Sequence, residues 1–100
     1  MPEKIIVKVD PDIADLVPGY IDNRHRDIGL LSEALAKNDY DGLRKIGHDL
    51  KGSGSGYGFD KITEMGRTLE SAAKSGDGTE IKKLIDELTD YLDRLEIVYE

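Results

Sequence analysis

The sequence contains no cysteine, no tryptophan and only one phenylalanine, and it has no long apolar segment. Without cysteine the chain cannot form a disulfide scaffold, a thiolate nucleophile or a metal site with cysteine ligands, and this composition fits a reducing compartment. The apolar residues of Met1–Val9 are too interrupted for a signal peptide, and no run of about 18 apolar residues offers a transmembrane helix. We therefore expect a cytoplasmic protein that does not act in a membrane.

The chain is also poor in basic residues, since 14 Lys and Arg stand against 21 Asp and Glu and give a net charge of −7. Proteins bind nucleic acids and anionic membranes largely through Lys and Arg, so this balance disfavours both kinds of partner. One hundred residues suffice for one domain, and a hydrophobic content of 38% suits a small soluble bundle. We expect a single core and a monomer.

Four segments place apolar residues at the three- and four-residue spacing of an amphipathic helix. The first extends from Pro18 to about Lys37, and either Arg24 or His25 fills one slot on its apolar stripe. The other three begin near Tyr40, after Gly58 and at Thr79 as the N-cap, and the last continues through Leu95. Because short turns join these segments, the predicted fold is all-α, an antiparallel four-helix bundle.

The residues before the first helix predict a short arm. Residues 3–9 are rich in β-branched side chains, but a lone strand has no other strand in the predicted bundle to pair with, so an extended arm is the expectation. A turn at Asp10-Pro11-Asp12 precedes a short helix, which Pro18 breaks near Val17. We therefore expect residues 1–17 to form an N-terminal arm and short helix, and residues 18–100 to form the bundle.

His48 is the main candidate for chemistry. It lies off the apolar stripe of the second helix, so its ring should be exposed to solvent. Lys51 follows one helical turn later and Gly52 follows at i+4, so this face presents an imidazole, a cation and a position without a side chain. Most surface histidines have no function, but these three features are what a phosphoryl group and a docking protein need.

The glycine-rich residues 52–58 suggest two further interpretations, a nucleotide-binding loop and a flexible linker. A P-loop needs a lysine after its last glycine, and no lysine occurs here before Lys61. The dinucleotide pattern also fails, because Tyr57 or Phe59 stands where its third glycine belongs. We expect no kinase activity of the chain's own, and we favour close approach of two helices over a linker.

The motif His48-Asp49-Leu50-Lys51-Gly52-Ser53, with Gly58 ten residues after the histidine, resembles the signature of histidine phosphotransfer domains. The resemblance extends over about residues 18–98, and the segment leading to Glu70 resembles the helix that follows the histidine in that family. It implies that His48 accepts the phosphoryl group, that Lys51 stabilises it and that Glu70 orients the imidazole. Gly52, Ser53 and Gly58 would serve docking and packing.

The resemblance implies a phosphocarrier of a two-component phosphorelay. His48 would take a phosphoryl group from a receiver-domain aspartate and pass it to another response regulator, in a pathway fed by a sensor histidine kinase. Such a carrier is a stoichiometric intermediate, not an enzyme, and needs no cofactor.

Two alternatives stay open: the phosphoacceptor domain of a chemotaxis-type kinase, and a docking module that carries no phosphate. A metal site is not expected, because the chain has only two histidines, His25 and His48, and neither is the histidine of a Glu-x-x-His motif.

Overall fold

A computed structural model describes residues 3–100 and contains four long helices. Their bounds are α1 Val17–Ala36, α2 Tyr40–Ser53, α3 Asp60–Lys74 and α4 Gly78–Arg94. Each helix packs against two others, in the cyclic order α1, α2, α3, α4, and the closest interface joins α2 to α3. The predicted four-helix bundle is therefore confirmed.

Aspartate side chains cap the N-termini of two helices. The Asp39 carboxylate accepts a 3.0 Å hydrogen bond from the backbone nitrogen of Gly42, so the predicted break before α2 is correct. At α4 the Asp77 carboxylate accepts from Glu80 at 3.1 Å, and the helix begins at Gly78. The prediction of Thr79 as the N-cap was wrong by two residues, because an aspartate three positions before Glu80 satisfies the same free N–H groups.

The core consists of the apolar stripes of the four helices together with Phe59, which precedes α3 and is fully buried. On α1, Leu31 is fully buried, whereas Ile21, Ile28 and Leu35 are partly buried against the core. Arg24 fills the open slot of this stripe, since its side chain is only 13% exposed. His25 is exposed on the same helix. The alternative left open by the sequence is thereby settled in favour of Arg24.

A two-stranded parallel sheet joins the ends of the described chain. Strand β1 (Ile5–Val9) pairs with β2 (Leu95–Tyr99), with Ile5 opposite Leu95 and Val9 opposite Tyr99. The expectation that residues 3–9 have nothing to pair with was wrong, and so was the continuation of the last helix through Leu95. The last helix was predicted to be too long because Leu95 continues the apolar spacing of α4. The backbone of Leu95 is nevertheless extended, with ψ of 129°.

The segment between β1 and α1 is shorter than a regular helix. Pro11–Ile13 forms one turn of 3-10 helix, and the Asp10 carboxylate accepts from the backbone nitrogen of Asp12 at 2.9 Å. Val9 is buried, with 2% of its surface exposed. The N-terminal arm is thus a strand that packs onto the bundle.

Candidate functional site

The predicted site residues His48 and Lys51 lie one turn apart on the outer face of α2. The His48 side chain is 64% exposed, as its position off the apolar stripe predicted. Lys51 is partly exposed, at 35%. The imidazole is therefore open to an approaching protein.

Glu70 reaches both residues from α3. Its Oε2 lies 3.0 Å from Nδ1 of His48, and its Oε1 accepts a 2.7 Å hydrogen bond from Nζ of Lys51. The Glu70 side chain is only 10% exposed, so one buried carboxylate bridges an imidazole and an ammonium. The structure thus brings together His48 and Lys51, to which the sequence pattern assigned chemistry, and Glu70, to which the resemblance assigned it.

The charge of Glu70 fixes the hydrogen-bonding role of the His48 ring. The Lys51 ammonium holds the pKa of the Glu70 carboxyl below its usual range, and this effect outweighs the opposing effect of burial. An ionised carboxylate only accepts hydrogen bonds, so Nδ1 of His48 is the donor in this pair. In the neutral ring, the lone pair is then on Nε2, the nitrogen that does not face Glu70.

Two glycines allow α3 to approach α2 this closely. A Cβ at Gly47 would lie 2.7 Å from the backbone nitrogen of Glu70, and one at Gly66 would lie 2.8 Å from the carbonyl oxygen of Gly47. Both contacts are to backbone atoms, which cannot turn aside as a side chain can. The glycine pair therefore determines how near Glu70 lies to His48.

An open groove of about 410 Å³ lies on the side of His48 that faces α1. Gly52 and Ser53 line it, and a Cβ placed at Gly52 would contact no other helix and no loop of residues 3–100 within 4 Å. The Ser53 hydroxyl is 2.9 Å from the hydroxyl of Tyr20, which ties the end of α2 to α1. Gly52 thus leaves open space beside His48, while Ser53 packs the neighbouring helices together.

The Hpt domain family model matches residues 15–97 of the chain. The chain belongs to the Hpt domain family. Searches of curated proteins and of solved structures gave no match. Hpt domains are histidine phosphotransfer modules of phosphorelays, and the helical bundle is the fold expected for this one.

Gly58 lies outside the immediate surroundings of His48 in this Hpt domain. It ends the 3-10 turn Ser55–Tyr57 in the left-handed conformation, with φ of 91°, which a side chain would strain. A Cβ at Gly58 would lie 3.5 Å from Cγ2 of Val9, so β1 packs against this turn. The adjoining Tyr57 stacks on Tyr20 with 4.1 Å between ring centroids. Gly58 therefore shapes one end of the groove.

The sequence interpretation did not place two residues of α1 beside this groove. Tyr20 and Arg24 both line the groove beside His48, and they lie at i and i+4 on the helix face that meets α2. An arginine within an apolar stripe was the available signal, but the sequence does not show which part of α2 it faces.

Neither a metal-ligand cluster nor a membrane-spanning helix is found within residues 3–100. No group of three or more His, Cys, Asp or Glu residues within 3–100 is arranged to hold a metal ion. Within the same residues, no helix combines the length and apolar character needed to cross a membrane.

Proposed function

We propose that this Hpt domain is a phosphocarrier that accepts a phosphoryl group on His48 from the aspartate of one receiver domain and passes it to a second response regulator. The observation that supports this most directly is the 3.0 Å contact between Nδ1 of an exposed histidine and a buried, ionised glutamate. That contact orients the ring and directs the free nitrogen, Nε2, toward solvent and an incoming partner.

The proposed phosphoryl transfer needs no added acid or base. The Nε2 lone pair attacks the phosphorus of the aspartyl phosphate, the bond between phosphorus and the aspartyl oxygen breaks, and the aspartate leaves as a carboxylate. The phosphorylated ring keeps its proton on Nδ1, and its positive charge faces the Glu70 carboxylate. In the second transfer a receiver carboxylate attacks the phosphorus, and the electrons of the N–P bond return to Nε2.

Lys51 supplies the nearby positive charge in this proposal. Its ammonium pairs with Glu70 in the free protein, and its flexible stem lets it turn toward the phosphoryl oxygens once they arrive. Magnesium would act at the acidic site of the receiver, and the carrier would need no metal or cofactor of its own. We further propose that the chain is a cytoplasmic monomer, and that a sensor histidine kinase supplies the phosphoryl groups of its pathway.

The test is incubation with a receiver domain phosphorylated on its aspartate, followed by intact mass and by treatment of the product with acid. Wild type and the control His25→Gln should each gain one acid-labile phosphoryl group, and His48→Gln should gain none while keeping its helix content. Equal uptake by His48→Gln would contradict the assignment. Uptake only from an ATP-bound kinase domain, and never from a receiver, would favour the chemotaxis-kinase alternative.

A further inference from the structure

Arg24 lines the groove beside His48. It belongs neither to the cluster of His48, Lys51 and Glu70 nor to the motif of residues 48–53. Its guanidinium carbon is 4.3 Å from the centroid of the Tyr20 ring, a cation–π contact. Its Nη1 donates to the hydroxyl of Ser53 at 3.4 Å, and its Nε lies 2.8 Å from Oδ2 of Asp27. A cation is therefore held within the wall of the groove at the end of α2.

The Asp27 carboxylate is the ion-pair partner of Arg24 in the free protein. Nε of Arg24 is buried and lies 2.8 Å from Oδ2 of Asp27, but the contact is less well aligned than an ideal hydrogen bond. The Ser53 bond is at the long limit for nitrogen and oxygen. Burial raises the pKa of the Asp27 carboxyl despite the lowering effect of Arg24, and the charge of Asp49 adds to the rise. Arg24 is thus held by an imperfectly aligned ion pair and a long hydrogen bond, which a well-aligned carboxylate would replace.

The charge of the surroundings indicates what this cation could bind. The chain carries a net charge of −7, and the proposed function places it against the acidic site of a receiver, so a cation on the docking face reduces the repulsion between the two surfaces. Lys51 is already paired with Glu70. Among the residues that line the groove at His48, Arg24 carries the guanidinium, and its planar fork suits a carboxylate.

We propose that Arg24 is a docking residue that pairs with a carboxylate of the receiver partner, and that Asp27 holds its guanidinium in the free protein. Docking exchanges the poorly aligned Asp27 contact for a pair with the partner. This inference rests on the proposed function, because it takes the partner to be a receiver domain.

The test compares Arg24→Gln, Arg24→Lys and Asp27→Asn in phosphotransfer from a panel of phosphorylated receiver domains. Arg26→Gln is the matched control, since Arg26 is exposed two residues away and bonds only to Asn23, at 3.4 Å. Two quantities are measured: the receiver concentration that gives half-maximal transfer, and the rate of His48 phosphorylation by phosphoramidate, a small donor that needs no docking.

Arg24→Gln should raise the half-maximal receiver concentration about tenfold and leave the phosphoramidate rate unchanged, since only a contact to the partner is lost. Asp27→Asn should lower that concentration, because the guanidinium is released, and Arg24→Lys should fall between wild type and Arg24→Gln. The Arg26→Gln control should match wild type.

Equal losses in Arg24→Gln and Asp27→Asn, accompanied by a lower melting temperature, would make the pair a structural link and overturn the proposal. A slower phosphoramidate rate in Arg24→Gln would place Arg24 on the phosphoryl group instead, which also overturns it. Failure of wild type to accept phosphate from phosphoramidate on His48 would count against the carrier function alone, because receiver binding can still be measured by calorimetry.

Discussion

At the scale of single residues, the site depends on Glu70, because the same carboxylate engages His48 through one oxygen and Lys51 through the other. Its lowered pKa makes this bridge a stabilising contribution with a defined pH dependence. The folded-state pKa lies below the usual value of 4.5, so the contribution is complete above 4.5 and is lost as the pH falls through the folded-state value.

We therefore predict that Glu70→Gln lowers the free energy of unfolding at neutral pH by an amount that disappears in acid. The protonated glutamate of the wild type is then equivalent to glutamine. Urea titrations of both proteins at several pH values from 7 down to below 4.5 measure this difference. A difference that stays constant over that range would show that Glu70 does not act through its charge.

Lys51 acts on the phosphoryl group in the proposed mechanism but forms no bond to it. Lys51→Ala should slow phosphate uptake by roughly ten- to a hundredfold without abolishing it, because the site is open to its partner and the electrostatic effect is reduced by solvent. Lys45→Ala is the control, since its exposed ammonium pairs with Asp41 one turn before it, at 3.3 Å. Complete loss of uptake in Lys51→Ala would indicate a role in binding the donor.

At the scale of elements, the interface of α2 and α3 positions the site. A methyl group at Gly47 would meet backbone atoms of α3, including the Glu70 nitrogen at 2.7 Å, so Gly47→Ala must separate the helices. We expect a loss of about 1–3 kcal/mol in unfolding free energy, together with slower phosphate uptake.

The matched control for Gly47→Ala is Gly52→Ala, on the same helix. A Cβ there contacts no other helix and no loop of residues 3–100 within 4 Å, so this variant should be as stable as wild type, or more stable by up to about 1 kcal/mol. Chemical denaturation of the two variants measures both values. Equal stability of the two would contradict the close approach of α2 and α3.

The helices could be predicted from the sequence because each buries an apolar stripe with helical periodicity, and His48 could be located because it departs from that stripe. The strands could not. Leu95 fits the spacing of α4, and parallel pairing between Ile5 and Leu95 depends on the bundle bringing the two ends of the chain together. The contact of Arg24 with Ser53 was hidden for the same reason, since it joins different helices.

At the scale of the whole molecule, the β1–β2 pair connects the two ends of the described chain to the turn behind the site. Val9 packs against Gly58, whose turn carries Tyr57 into the groove. Val9→Ala should lower the unfolding free energy by about 2 kcal/mol, because it leaves a cavity at a residue that is 2% exposed.

Ile6→Ala in the same strand is the control for Val9→Ala. Ile6 is 61% exposed, and its truncation should change stability by less than about 0.5 kcal/mol. Thermal unfolding of both variants measures the difference. If Val9→Ala were as stable as Ile6→Ala, β1 would not be part of the folded unit in solution.

If Glu70 holds Nδ1 of His48, then Nε2 is the nucleophile. Nitrogen and phosphorus NMR of the ¹⁵N-labelled protein after phosphorylation by phosphoramidate identifies the nitrogen bonded to phosphorus. We expect a single phosphohistidine, at His48, with phosphorus on Nε2. Phosphorus on Nδ1 of His48, or on either nitrogen of His25, would contradict this expectation.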